Sequence, residues 1–179
     1  MAAVQKRGGS VDALSAHRQQ LSKGKIAWKQ RVQRLHRDLA NAFILYTNYK
    51  QYHWQTYSPG FRDLHLVFGE FAKDVLESID HLAQRIHVTG QDLPAHLLEA
   101  MELARVSAAA PPSTMRAMVE EADRNIRVVV KELREAANIA LDHGDQGTVE
   151  LVSRLIAIYE RHQGYLRDIL SKRPGPQLA

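Results

Sequence analysis

The chain has no cysteine. That excludes a disulfide framework and any thiolate metal site, so a transition metal would have to be held by histidine and carboxylate, and a reducing cytosol is the expected setting. No apolar run is long enough to span a bilayer, and Met1 to Ser10 is polar and charged, unlike a secretory leader. No membrane partner is expected. Acidic excess is also lacking: the formal net charge is +4. Lys6, Arg7, Arg18, Lys23 and Lys25 stand against Asp12 alone in the first 25 residues, and the remaining acidic and basic residues cancel. A neutral body therefore carries a basic arm, read first as a solvated segment and second as a contact for nucleic-acid phosphates.

Glycine and proline are scarce and gathered in a few places, so the stretches between them read as helices. At 179 residues one domain suffices. Lys25 to about Tyr57 lacks both residues and spaces Ile26, Leu35, Leu39, Phe43, Tyr46 and Tyr49 helically. Ser58-Pro59-Gly60 should stop that helix, and a second is expected from Phe61 to about Val88, capped at Thr89-Gly90. Its apolar face is Leu64, Phe68, Phe71, Val75, Ile79, Leu82 and Ile86. Glu70, Asp74 and Glu77 form an acidic stripe, ordinarily a solvated one. His65, Gly69, Asp80 and Gln84 lie on the other flank. Gln91 to Ser113, with Pro94, Pro111 and Pro112, reads as a long connection holding a small helix over about Leu97 to Val106. Thr114 to Leu141 and Gln146 to Leu170 complete the set, separated by Asp142-His143-Gly144-Asp145. The expected fold is all-α: two helical hairpins joined by a crossover, the ferritin-like four-helix topology, over residues 25–171, with a basic arm 1–24 and a tail 172–179.

Two histidine positions suggest chemistry. His53 and His65 lie about equally far from the Ser58-Pro59-Gly60 turn, so an antiparallel hairpin sets them at one level. Asp80 and Gln84, four apart, share a helical face. Asp80 is about 22 Å along the helix from His65, at a rise of about 1.5 Å per residue. One subunit cannot bring both pairs to one ion. Two copies meeting with their second helices antiparallel across a twofold axis would.

The stretches Tyr52-His53-Trp54, Phe61-Arg62-Asp63-Leu64-His65-Leu66-Val67-Phe68-Gly69-Glu70-Phe71 and Ile79-Asp80-His81-Leu82-Ala83-Gln84-Arg85-Ile86 resemble the signature of the Dps mini-ferritins. Gly144-Asp145 and Tyr159-Glu160-Arg161-His162 extend the resemblance, which covers roughly residues 30–170. It implies a homododecameric cage of four-helix subunits that binds, oxidises and stores iron with peroxide or oxygen as oxidant, protects against oxidative damage and in some members binds DNA. His53, His65 and Asp80 match the family's metal ligands, and Trp54 the aromatic residue beside the site. The chain departs from the pattern at Gly69, where the family usually has an acid, and at Gln84, where it has glutamate. Loss of two carboxylates leaves an imidazole-rich centre that suits zinc and copper as well as iron.

Counting along antiparallel second and fourth helices sets His162 near the level of Gly69, where absent side chains at Gly69 and Gly164 would let a third imidazole reach the metal; His81 is the rival. The expected centre is thus His53, His65 and His162 from one subunit with Asp80 and Gln84 from its neighbour, and zinc should compete with iron. Two other functions stand beside the ferroxidase: a DNA-binding, nucleoid-compacting cage using the arm, and a structural cage whose centre is impaired.

Overall fold

The computed structural model describes residues 33–56, 60, 62–94, 101–111 and 114–171. The expected basic arm and C-terminal tail lie outside the described residues. Four helices are present among them: α1 over residues 33–55, α2 Arg62–Val88, α3 Met115–Asp142 and α4 Gln146–Leu170. No described residue is in a strand. No helix of the described residues is long and apolar enough to cross a membrane.

Side-chain pairings define the topology. Tyr49 packs on Phe71 and His53 on His65, so α1 and α2 run antiparallel. Arg161 reaches Asp74 at 2.9 Å, while Arg85 donates to Thr148 at 2.9 Å, which makes α4 antiparallel to α2. Tyr52 donates to Glu121 at 2.8 Å and Arg34 pairs with Glu132 at 3.1 Å, so α3 is antiparallel to α1. Helices α2 and α3 are therefore parallel, and a crossover must join their opposite ends, as in the expected ferritin-like bundle.

Helix ends have identifiable causes. Thr114 caps α3 by accepting from the Ala117 amide at 3.0 Å, and Asp145 caps α4 by accepting from the Thr148 amide at 3.2 Å. Gly90 (φ 77°) and Gly144 (φ 66°) take left-handed backbone where α2 and α3 stop, a conformation that costs a residue with Cβ. Arg85 crosses to Asp145 as an ion pair, fastening α2 to the α3–α4 turn.

The core is the inner stripe of every helix. On α2 it consists of Phe68, Phe71, Ala72, Val75, Ser78, Ile79, Leu82 and Ile86, close to the expected face; Leu64 packs at its margin. Of the short helix expected at 97–106, only Met101 is helical among the described residues, and 104–111 is irregular. Irregular backbone crossing a bundle needs hydrogen-bond partners. Side chains of α1 and α3 supply them: Asn41 Oδ1 accepts from the Arg105 and Val106 amides (2.7 and 3.2 Å), and Asn48 accepts from the Ala109 amide and donates to the Ser107 carbonyl (2.7 and 2.8 Å). Glu121 accepts from the Ala110 amide at 3.2 Å. Asn41 and Asn48 are two turns apart, so one stripe of α1 holds the strap. Val106, anchored this way, enters the core.

Candidate metal centre

Helices α1 and α2 meet near their shared turn through two histidines. The imidazoles of His53 and His65 stack with centroids 3.8 Å apart and planes 25° from parallel. Each ring bonds the other residue's backbone: His53 Nδ1 lies 2.7 Å from the His65 carbonyl and His65 Nδ1 lies 2.9 Å from the His53 carbonyl. A carbonyl oxygen can only accept, so both Nδ1 atoms donate. In the neutral rings both Nε2 atoms keep their lone pairs, the state a metal requires, with the tautomer set by the outer bond. Both residues are half-buried, so the pair is held by the hairpin yet open to the surface.

Gly69, one turn along α2 from His65, touches the pair. A Cβ built there would stand 3.0 Å from His53 Nδ1 and 3.1 Å from its Cε1. The position that lacks the family's acid is therefore filled by the His53 ring itself.

His162 was expected in that space and is found elsewhere. Its level on α4 is near that reached by counting, but the ring turns into the bundle, fully buried, stacked on Phe71 at 3.8 Å and 15°. Its Nε2 lies 2.9 Å from Asp74 Oδ2, which also accepts from Arg161. Two causes keep it from the pair: the slot between Phe71, Tyr49 and Tyr159 removes an aromatic face from water, and the room beside Gly69 is already taken. Burial, opposed by the Asp74 carboxylate, lowers its pKa to about 4, so the ring is neutral at ordinary pH. Its Nδ1 is buried without a hydrogen-bond partner among the described residues. Asp74, read from the sequence as part of a solvated acidic stripe, is thus tied to α4, while Glu70 and Glu77 are exposed.

Asp80 and Gln84 are exposed on α2, as is His81. Among the described residues no group of three or more His, Asp or Glu side chains comes together to hold a metal. A single chain brings together two nitrogen donors and leaves Asp80 and Gln84 apart from them. Trp54, next to His53 in the chain, projects outward with 63% exposure, and the Lys50 ammonium sits 5.3 Å from its ring centroid. Between α1 and α2 runs a groove lined by Tyr46, Lys50, His53, Leu66, Gly69 and Leu76. Leu66 and Leu76 are about half exposed there, at 49% and 47%.

Sequence reasoning missed the carbonyl partners of the two imidazoles and the buried acid Asp38 of α1. Neither Asp38 oxygen has a hydrogen-bond partner among the described residues, and burial, partly offset by Arg34 and Arg37, raises its pKa to about 8. An acid at the position where a helix turns inward was the available signal for Asp38. The carbonyl bonds have none in one dimension.

Comparison with known proteins gives a consistent family. The family described as ferritin-like domain matches residues 32–174. DNA protection during starvation protein 2 of Bacillus anthracis is 28% identical over 144 residues, 80% of this chain and 99% of that protein. DNA protection during starvation protein 1 of Deinococcus radiodurans is 31% identical over 76% of this chain and 66% of its own length. The crystal structure of Dps from Thermosynechococcus elongatus superposes with a TM-score of 0.80 and 36% identity, covering 85% of this chain and 97% of that one.

Proposed function

Since the chain belongs to the ferritin-like family and, within it, to the Dps proteins, we propose that it is the subunit of an iron-storing cage that protects against oxidative damage, and that His53 and His65 begin a variant ferroxidase centre completed by Asp80 and Gln84 of a second copy. The observation that carries this reading is the reciprocal imidazole–carbonyl pair, which leaves two Nε2 lone pairs at an accessible surface. At about 100° per residue, His65, Leu66, Gly69, Leu76, Asp80 and Gln84 fall on one stripe of α2. Half-exposed leucines on that stripe favour cover by another chain, and a twofold axis would carry the stripe's acid end to its partner's histidine end. A homododecamer is the assembly proposed.

Iron is the substrate. Each Fe(II) gives up one electron, and peroxide or oxygen accepts it. The imidazoles act as neutral donors, Asp80 supplies anionic oxygen, and Trp54 is the oxidisable aromatic beside His53. Zinc, which needs no redox chemistry and accepts the same donors, should compete for the centre. The reading places the protein in the cytoplasm; contact of the basic arm with DNA is a separate proposal that a gel shift at low salt would test.

Stopped-flow oxidation of Fe(II) by the assembled protein tests the centre. His65→Ala should slow it by at least about tenfold, the loss typical when the ligand environment of a metal is broken. Equal rates would remove the pair from the reaction, and a stable monomer in light scattering would remove the shared centre.

A further inference from the structure

Tyr49, Tyr52 and Tyr159 are buried in the bundle, and they differ in where a phenolic proton could go. The Tyr49 hydroxyl has no hydrogen-bond partner among the described residues. Tyr159 has the Ser78 hydroxyl as its neighbour, which is no base near neutral pH. Tyr52 donates to a carboxylate, with its hydroxyl 2.8 Å from Glu121 Oε2. The other oxygen, Oε1, accepts from the Ala110 amide at 3.2 Å, so the strap holds the carboxylate toward the phenol. Glu121 is half-buried, and a proton arriving there has a way on to water.

Tyr52 also stands beside the histidine pair. It precedes His53 in the chain, and its ring packs 5.1 Å from Phe68, one turn along α2 from His65. Burial and the Glu121 carboxylate hold the phenol protonated, well above its usual range. Such a phenol gives up an electron only as it gives up its proton. Transfer of that proton to Glu121 leaves a neutral ring and a neutral acid, which adds no charge to the interior. Trp54, on the other side of His53, has the Lys50 ammonium 5.3 Å from its ring centroid, and that cation opposes the positive charge of an oxidised indole.

We propose that Tyr52, with Glu121 as its proton acceptor, is the protein's own electron donor when peroxide meets a centre holding a single Fe(II). The inference rests on the reading of His53 and His65 as the start of that centre. Peroxide takes two electrons as its O–O bond breaks, and one Fe(II) supplies only one. The second comes from Tyr52. The O–O bond breaks to two hydroxide ions, iron becomes Fe(III), the phenolic O–H bond breaks, and its proton passes to Glu121. One Fe(II) acting alone would release a hydroxyl radical in place of the second hydroxide. The unpaired electron rests instead on a ring sealed from solvent.

The test mixes the full-length assembled protein, loaded with one Fe(II) per proposed centre, with peroxide and reads frozen samples by electron paramagnetic resonance. The wild type should show a tyrosyl radical whose signal narrows when tyrosine is ring-deuterated. Tyr52→Phe should abolish it and raise the hydroxyl radical caught by a spin trap severalfold. Glu121→Gln keeps the phenol without its base and should lower the radical yield by about tenfold or more, since a positioned proton acceptor is worth about 10² to 10⁴ in rate. Light scattering checks assembly, and cobalt(II), whose visible absorption reports its donor set, checks that each variant keeps its metal site. If Tyr52→Phe does not assemble, the deuterated wild type and Glu121→Gln decide the matter together. A tyrosyl signal that survives Tyr52→Phe or is undiminished in Glu121→Gln, or Fe(III) formed by the wild type without any tyrosyl signal, would overturn the inference and leave the centre standing. If His65→Ala forms Fe(III) and the radical as the wild type does, the centre falls and the inference with it.

Discussion

The turn end of the α1–α2 hairpin and the middle of the bundle both hold polar side chains with unused bonding capacity, and they hold it differently. His53 and His65 use their Nδ1 atoms on backbone carbonyls and leave Nε2 at a half-buried surface. His162 uses Nε2 on Asp74 and leaves Nδ1 sealed among aromatic rings; among the described residues the Asp38 carboxyl and the Tyr49 hydroxyl are likewise buried without hydrogen-bond partners. A lone pair facing solvent can take an ion with its hydration partly intact. One facing the packed interior carries a desolvation cost that shows up in pKa and stability. Histidine identity alone does not make a ligand; the nitrogen left over and its access to water do.

That contrast can be broken most forcefully at Asp38. Its carboxyl titrates near 3.8 when unfolded and at about 8 when folded, so the folded chain holds the extra proton between those values and stability should fall as pH rises from 4 through 8. Asp38→Asn should match the wild type near pH 3 and exceed it above pH 8 by several kcal/mol at most, about 1.4 per pKa unit. Parallel denaturation curves at both pH values would expose a solvated Asp38. The sealed acid would then be disproved.

His162 should respond in the opposite direction. Its folded pKa of about 4 lies below the unfolded 6.5, so its neutral form contributes fully above pH 6.5 and the contribution is lost as pH falls toward 4. His162→Phe keeps a ring on Phe71 and should remove roughly 3 kcal/mol of acid sensitivity in urea titrations while leaving cobalt(II) binding unchanged. A loss of metal affinity would return His162 to the centre. At the hairpin end the stability change should be smallest: His65→Ala should cost about 1 kcal/mol, the order of a partly exposed hydrogen bond, though metal binding collapses. A cost several times larger would mean that the pair is a structural clasp first.

Much of the fold was legible because helix boundaries are local. Ser58-Pro59-Gly60, Thr89-Gly90 and Gly144 mark the breaks, and the apolar stripe of α2 follows from the 3.6-residue period. The crossover was less legible: its expected helix is represented by Met101 alone among the described residues, and Asn41 and Asn48, which hold the strap, look like ordinary polar residues on α1. Proximity of His53 and His65 followed from their equal distance to the turn. Where each ring nitrogen points did not.

Counting residues likewise gave His162 its level on α4 but not its direction, since rise per residue is a property of one helix and rotamer choice depends on every helix packed around it. The order of hairpins, the absence of thiolate chemistry and the pairing of two histidines were determined by sequence alone, through local stereochemistry and composition. Tertiary packing decided that His53 fills the space beside Gly69, that Asp74 ties to His162 and Arg161 of α4, and that Asp38 is sealed, because each outcome depends on which side chains share a volume and exclude the others.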